Sequence, residues 1–472
     1  MTDDYLISLE YDDVVEHALN LEANFCDIRA SEWEGFGLQL LQSKTRNMVS
    51  SMGSGAGIRV LIDGAWGFSS TSLVTMDELK TCCEKAIKLA KSSRNLVKEE
   101  DKFTISEDIK FDSSKYIINT KEELDYISKE EKIQKILALD KAARETSPLV
   151  MNTAINYSDG VGHTLLVNSR GARIEKSMGS IYSLFNVMVM ENGNLQSGTE
   201  IFSHVGTWKD ISLGEFDNAI IEATEQGLRL LKAKPCPPGA FTIIVDNKLG
   251  GVFVHEAMGH ACEADAILTG QSILEGKIGS KVGNEEVTIY DDGSIEDKFG
   301  FIPVDSEGIK TGRTTLIEKG IVKSYINDLE TASRMGILPT GNGRAEKYDT
   351  LPQVRMTNTF LSKGMWDKEE MISETREGIY CLGWQYGYVQ TDKGNFMFKS
   401  KEAILIENGE LTTPLKDVAL SGQIMQVLLD IDAIGDDFGD TGGHCGKCGQ
   451  FVRVSDGSPH FRIKNIVVGG ME

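Results

Sequence analysis

The polarity of the chain changes period several times, and each change marks an element. Over residues 12–21 the apolar Val14, Val15, Ala18, Leu19 and Leu21 recur at helical spacing, which predicts an opening amphipathic helix. Apolar runs then predict strands over 25–30, 37–41 and 57–62. A second helix is expected over 76–92, where Leu79, Cys82, Cys83, Ala86, Ile87 and Leu89 form the stripe, and a polar stretch follows to Lys121. Residues 122–144 read as one long charged helix. Alternation over 150–157, 163–168, 172–175 and 183–190 predicts an antiparallel sheet with one solvated face, and 217–231 is again helical.

The stretch 232–239, Lys-Ala-Lys-Pro-Cys-Pro-Pro-Gly, has the proline content of an extended linker. It divides an α+β chain into two expected domains. Residues 1–231 form an N-terminal α/β domain of mixed helices and antiparallel strands, and 240–472 form a β-rich C-terminal domain that carries a helix with His255. After a strand over 241–245 and that helix comes a Gly/Ser-rich stretch, 269–281, and then mostly short strands. Turn chemistry predicts hairpins at Asp291-Asp292-Gly293, Glu318-Lys319-Gly320 and Glu407-Asn408-Gly409, with short helices over 327–334, 368–377 and 422–430. Gly53-Ser-Gly-Ala-Gly57 precedes a strand instead of joining a strand to a helix, so it reads as a hairpin or bulge and not as a phosphate loop. No tandem repeat of solenoid period is present.

Composition narrows the functional classes. With 71 acidic against 49 basic residues, the formal charge of -22 argues against nucleic acid as the main partner, because phosphate binding needs clustered Lys and Arg. No apolar run is long enough to span a bilayer, and the acidic first 20 residues lack a signal-peptide core, so no membrane association and a cytoplasmic location are expected. Eight cysteines in 472 residues are too few and too scattered for a disulfide scaffold. Cys26, Cys236, Cys262 and Cys381 read as isolated buried thiols. Cys445 and Cys448, in Cys-Gly-Lys-Cys, are the pair that invites a chemical reading.

Residues 254–260, Val-His-Glu-Ala-Met-Gly-His, hold the densest chemistry. Two imidazoles flanking a carboxylate are what a hydrolytic zinc site needs: neutral nitrogens for the metal and a Glu that accepts a proton from the attacking water. The histidines are five apart, however, and an ideal helix of roughly 3.6 residues per turn would splay them by about 140°. Metal binding therefore demands a π-bulge near 257–259 or a helix that ends at Gly259, where the missing Cβ eases either distortion. The competing reading makes His255 a packed or capping residue and His260 an ordinary surface histidine.

A catalytic zinc site takes a third protein ligand, and the sequence offers Glu263, Asp265, Cys445 and Cys448. Either acid could instead accept an imidazole N–H. The cysteine pair alone also fits a redox dithiol, although the strand-to-helix context of such motifs is missing. The acidic run over 430–440 lacks the closing Glu of an EF-hand and reads as a solvated loop.

Taken together, His255-Glu-Ala-Met-Gly-His260-x-x-Glu-x-Asp265, Gly341-Asn-Gly-Arg-Ala-Glu346, Arg355-Met-Thr-Asn358 and Cys445-Gly-Lys-x-Gly-Gln450 resemble the TldD/PmbA metalloprotease family, in its metal-bearing TldD-like branch. The resemblance spans the chain and is densest from Phe241 onward. It implies one zinc per chain held by His255, His260 and Cys445, with Glu256 as general base in hydrolysis of peptide bonds by metal-activated water. It implies, too, a PmbA-like (TldE-like) partner or a second copy enclosing a chamber that admits unfolded or small peptides. Glu263, Asp265, Arg344 and Arg355 are candidates for orienting a ligand or binding substrate; the two arginines fit a peptide carboxylate or simple pairing with the abundant acids. Position 448, often acidic in relatives, is Cys here, and a Cys445–Cys448 disulfide would inactivate the site. The alternative function is a non-catalytic peptide-binding or assembly subunit.

Overall fold

The computed structural model describes residues 5–211 and 213–470, and its architecture is α+β. The N-terminal half is built on a seven-stranded sheet. Its central strand, Phe25–Leu41, pairs antiparallel with Lys44–Ile62 on one side and with Val150–Asn168 on the other. Arg173–Glu191 continues the sheet, and Asn194–Val205 pairs with it in turn. The short strands expected from sequence are thus segments of long ones. Ser31 to Phe36 looked like a break, yet a strand hydrogen-bonded on both edges passes through polar residues without loss of backbone pairing. Asn194–Val205 had no strand signal, because Ser197, Gly198 and Thr199 interrupt its apolar pattern.

Two other expectations for this half are corrected. The glycines from Gly53 to Gly57 lie inside strand Lys44–Ile62, in regular register opposite Trp33 to Arg29, and form neither a hairpin nor a bulge. A Cβ on Gly55 would collide with the Tyr348 ring, so the absent side chain makes room for a loop from the other half. The charged helix breaks in two, Lys121–Leu124 and Lys129–Thr146. Ser128 is the reason: its hydroxyl accepts from the Glu131 N–H while the Glu131 carboxylate accepts from the Ser128 N–H, a capping box that starts a new helix. Helices Tyr11–Asn20 and Met76–Ser93 cover one part of the sheet with a core of Val14, Ala18, Leu79, Cys83 and Ala86, and Lys129–Thr146 and Leu213–Leu231 cover another.

The C-terminal half holds an eight-stranded and a six-stranded sheet around one large apolar core. Many strands are short, as expected, but Glu377–Gln390 and Asn395–Glu407 form a long hairpin. The turns at Glu318–Gly320 and Glu407–Gly409 do join neighbouring strands. The turn at Asp291–Gly293 does not: Ile289–Asp292 pairs with Arg313–Glu318 and with Asn358–Leu361, both distant in sequence. The buried Asp291 carboxylate instead accepts from the Thr357 N–H and hydroxyl, the Thr359 hydroxyl and the Asn342 amide, tying loops together. The acidic run 430–440 is largely strand, and its charges meet cations: Asp432 pairs with Arg462 and Lys464, Asp440 with Lys298. The two halves meet at the buried Arg59, which donates to Asp27 at 2.9 Å within the first sheet and to Glu307 at 2.7 Å from the second half.

Candidate metal centre

Strand Gly239–Val245 ends at Asp246, whose carboxylate accepts from the Leu249 N–H at 2.8 Å and so caps helix Asn247–Val254. The helix lies against strand Gln450–Ser458 at Gly251, where a Cβ would come within 2.8 Å of the Asp456 backbone. One π turn, His255–Gly259, follows, then a 3-10 turn, His260–Cys262. The distortion required by the five-residue spacing is therefore present. The His260 N–H bonds back to the His255 carbonyl, which brings the two rings together edge-on at a centroid distance of 5.2 Å.

The third group arrives from far along the chain. Strand Gly439–Lys447 is the outer strand of the six-stranded sheet, and it carries Cys445 to the π turn. One ligand atom each from His255, His260 and Cys445 lies within 4.8 Å of the others. Cys445 Sγ is 3.5 Å from His260 Nε2. Cys448 is exposed in the hairpin turn with φ of 49° and lies outside this cluster.

Of the acids, Glu263 is buried and accepts from His260 Nδ1 at 2.9 Å, which aims Nε2 toward the thiol. Lys447 reaches the same carboxylate at 3.1 Å and pairs with Asp265 at 2.7 Å; Asp265 thus sits one step behind the histidines. Glu256 is partly exposed, lies 3.8 Å from His260 Nε2 and faces a cavity of about 310 Å³ that His255, His260 and Cys445 also line. Arg355 is fully buried and donates to the carbonyls of Cys445 and Gln450, holding the hairpin in place. Arg344 donates to the carbonyls of Met356 and Arg453.

Electrostatics bind the cluster together. Burial works against charge on Cys445, yet the His255 and His260 imidazoles outweigh it and bring the thiol down to about 4. Burial likewise opposes charge on His255, but Cys445 lifts it to about 9; Glu263 and Cys445 lift His260 well above its ordinary value. These shifts reinforce one another: a charged thiol favours protonated imidazoles, and protonated imidazoles favour the charged thiol. Three residues of this centre had no part in the sequence reading. Asp456, within strand Gln450–Ser458, lies 3.7 Å from His255 Nδ1, and burial raises it to about 6. Lys447 sat inside the quoted cysteine motif without a role, and His444 lines the cavity one residue before the thiol.

A buried thiol and two imidazoles beside a partly exposed glutamate are donors and a base of the kinds that a metallohydrolase centre uses. Comparison gives the family. Residues 238–470 match the PmbA/TldA metallopeptidase C-terminal domain, 26–90 match domain 1 and 122–231 the central domain, so the chain belongs to the PmbA/TldD metallopeptidase family. A metalloprotease of Methanocaldococcus jannaschii is 41% identical over 92% of this chain and 94% of its own length. One from Methanothermobacter thermautotrophicus is 36% identical over 99% of both chains. A zinc metalloprotease TldD homolog of Saccharolobus solfataricus is 28% identical over 97% of this chain and 99% of its own. The fold is that of TldE from Thermococcus kodakarensis, with a TM-score of 0.79 at 18% identity over 98% of this chain and 100% of that one.

Proposed function

We propose that this protein is a zinc-dependent peptidase that hydrolyses peptide bonds of unfolded or small peptides. The convergence of His255, His260 and Cys445, with Glu256 on the open side of the cluster, carries the reading. The donors fit zinc: two nitrogens and a thiolate leave a position for water or substrate, and His255 Nδ1 is buried with no hydrogen-bond partner among the described residues. Those three residues would hold one ion per chain, and a bound zinc would serve as Lewis acid toward the scissile carbonyl and water. Glu256 accepts the proton of the attacking water and returns it to the leaving amine. Glu263 fixes the orientation of His260, and Arg355 fixes the backbone at Cys445.

Substrate would enter as an added strand. Gly439–Lys447 is the last strand of its sheet, and a peptide paired along its free edge passes beside Cys445 and Glu256. The likeness to TldE supports a TldE-like partner, or a second copy, that encloses the site as a chamber in the cytoplasm. No helix among the described residues is long and apolar enough to cross a membrane.

The test is metal content by elemental analysis together with hydrolysis of unstructured peptides. One zinc per chain in wild type, lost in His260→Ala and Cys445→Ser and kept in Cys448→Ser, is the expected pattern. Glu256→Gln should keep zinc and lose turnover. Zinc retained with no cleavage by wild type would favour the peptide-binding or assembly subunit instead.

A further inference from the structure

A second cavity, about 380 Å³, lies between the N-terminal sheet and the C-terminal half, and its wall contains Arg29, Lys176, Arg344 and Arg453. In a chain of net charge -22, none of these four cations has a carboxylate within salt-bridge reach among the described residues. Their hydrogen bonds go to backbone carbonyls: Arg29 to Thr350 at 2.6 Å, Lys176 to Val304 at 3.3 Å, Arg344 to Arg453 at 2.7 Å. Arg453 Nη1 is buried with no partner among those residues.

The acids in the same wall spend their hydrogen bonds on backbone groups, although Asp305 is near enough to act on Lys176 through space. Asp305 accepts from the N–H groups of Glu307, Ile309 and Gly343, and Glu346 accepts from the Phe451 N–H. Burial and the neighbouring cations bring Lys176 down to about 8 and Arg344 to about 9, outweighing the opposing pull of Asp305 on Lys176 and of Asp291 on Arg344. Such a cluster is costly to bury unless an anion completes it.

Its position indicates which anion. His444 lines this cavity and the metal-centre cavity alike, and it packs edge-on against Tyr182 at a centroid distance of 4.8 Å. We infer that the Arg29–Lys176–Arg344–Arg453 cavity is a substrate subsite that binds a carboxylate of the peptide, at its C-terminus or on an acidic side chain, while the chain extends past His444 to Cys445 and Glu256. The inference rests on the peptidase reading for the identity of the ligand as a peptide. Guanidinium groups suit it because their planar donors match a carboxylate.

The test separates the two claims. Three fluorescently labelled hexapeptides of one sequence are titrated by anisotropy against zinc-loaded Glu256→Gln protein: one with a free C-terminus, one amidated, and one amidated with a single internal Asp. A carboxylate-bearing peptide should bind at least 10-fold tighter than the neutral one, and Arg453→Gln and Lys176→Gln should each reduce that preference several-fold while circular dichroism shows them folded. Whether the C-terminal or the Asp peptide gains identifies the source of the carboxylate. Equal binding of all three, no binding of any at millimolar concentration, or a preference unchanged in both folded variants overturns the subsite. Cleavage of the same peptides by wild type is scored separately: a preference without cleavage leaves the subsite standing and removes the peptidase reading, and cleavage without preference does the reverse.

Discussion

His260 Nδ1 lies 2.9 Å from the carboxylate of Glu263, three residues on, and Lys447 holds that carboxylate from the other side at 3.1 Å. A buried carboxylate of this kind sets which imidazole nitrogen is free and where it points. Glu263→Gln should therefore lower zinc affinity about 10–100-fold with the fold intact. Competition against a chelator of known affinity, with circular dichroism as control, measures it; unchanged affinity would remove Glu263 from the centre.

Metal loading should release protons. Cys445, near 4, is already a thiolate at neutral pH, whereas His255 keeps its proton up to about 9 and His260 beyond its ordinary range. A metal takes neutral imidazoles, so each proton must leave on binding. Apparent affinity therefore climbs as pH rises toward about 9, and it flattens only when both His255 and His260 have lost their protons. Calorimetry at pH 7 in buffers of different ionisation enthalpy should count at least one proton released per metal.

Gly259 closes the π turn, and a Cβ there would collide with the Met356 sulfur. Gly259→Ala should cost about 1–3 kcal/mol of stability, the range for overpacking a dense core. Zinc stoichiometry should fall with it, because His260 is the next residue. Met356→Ala in the same chain should return the stoichiometry without restoring full stability, read by thermal melts and elemental analysis.

Cys448 occupies a left-handed turn position, at φ of 49°, with its thiol exposed. Cys448→Gly relieves a conformation that costs a non-glycine residue about 1 kcal/mol. Urea melts should show that gain, and zinc content should stay at the wild-type value.

Arg59 bridges the halves through Asp27 and Glu307, all three buried. Arg59→Met would leave two carboxylates without their partner and should destabilise the protein by about 3–5 kcal/mol. A loss below about 1 kcal/mol in denaturant melts would show that the bridge contributes little to holding the halves together.

The local chemistry at the centre was readable because it is local. A five-residue histidine spacing is incompatible with a regular helix and a shared ion, so the residues themselves called for the π turn seen at His255–Gly259. The choice between Cys445 and Cys448 was not readable from spacing: Cys445 is 185 positions from His260, and only the register of Gly439–Lys447 on Gln450–Ser458 puts one thiol inward and the other in the turn. The resemblance to a family, not periodicity, had named Cys445.

Element type followed the pattern of apolar residues for helices such as Tyr11–Asn20, Met76–Ser93 and Leu213–Leu231, since a helix closes its own hydrogen bonds and needs only one apolar stripe. Strands obeyed a different rule. Phe25–Leu41 runs through polar residues, and Gly53 to Gly57 lie flat within a sheet, because the neighbours on both edges supply backbone partners that no local window contains. The sequence by itself thus determined helices with a single clear apolar stripe, the pair of histidines flanking Glu256 and the distortion their spacing requires. Only tertiary structure decided the approach of Cys445 to the two histidines, the buried support from Glu263, Asp456 and Arg355, and the cationic cavity, since each depends on side chains that meet through long-range strand pairing.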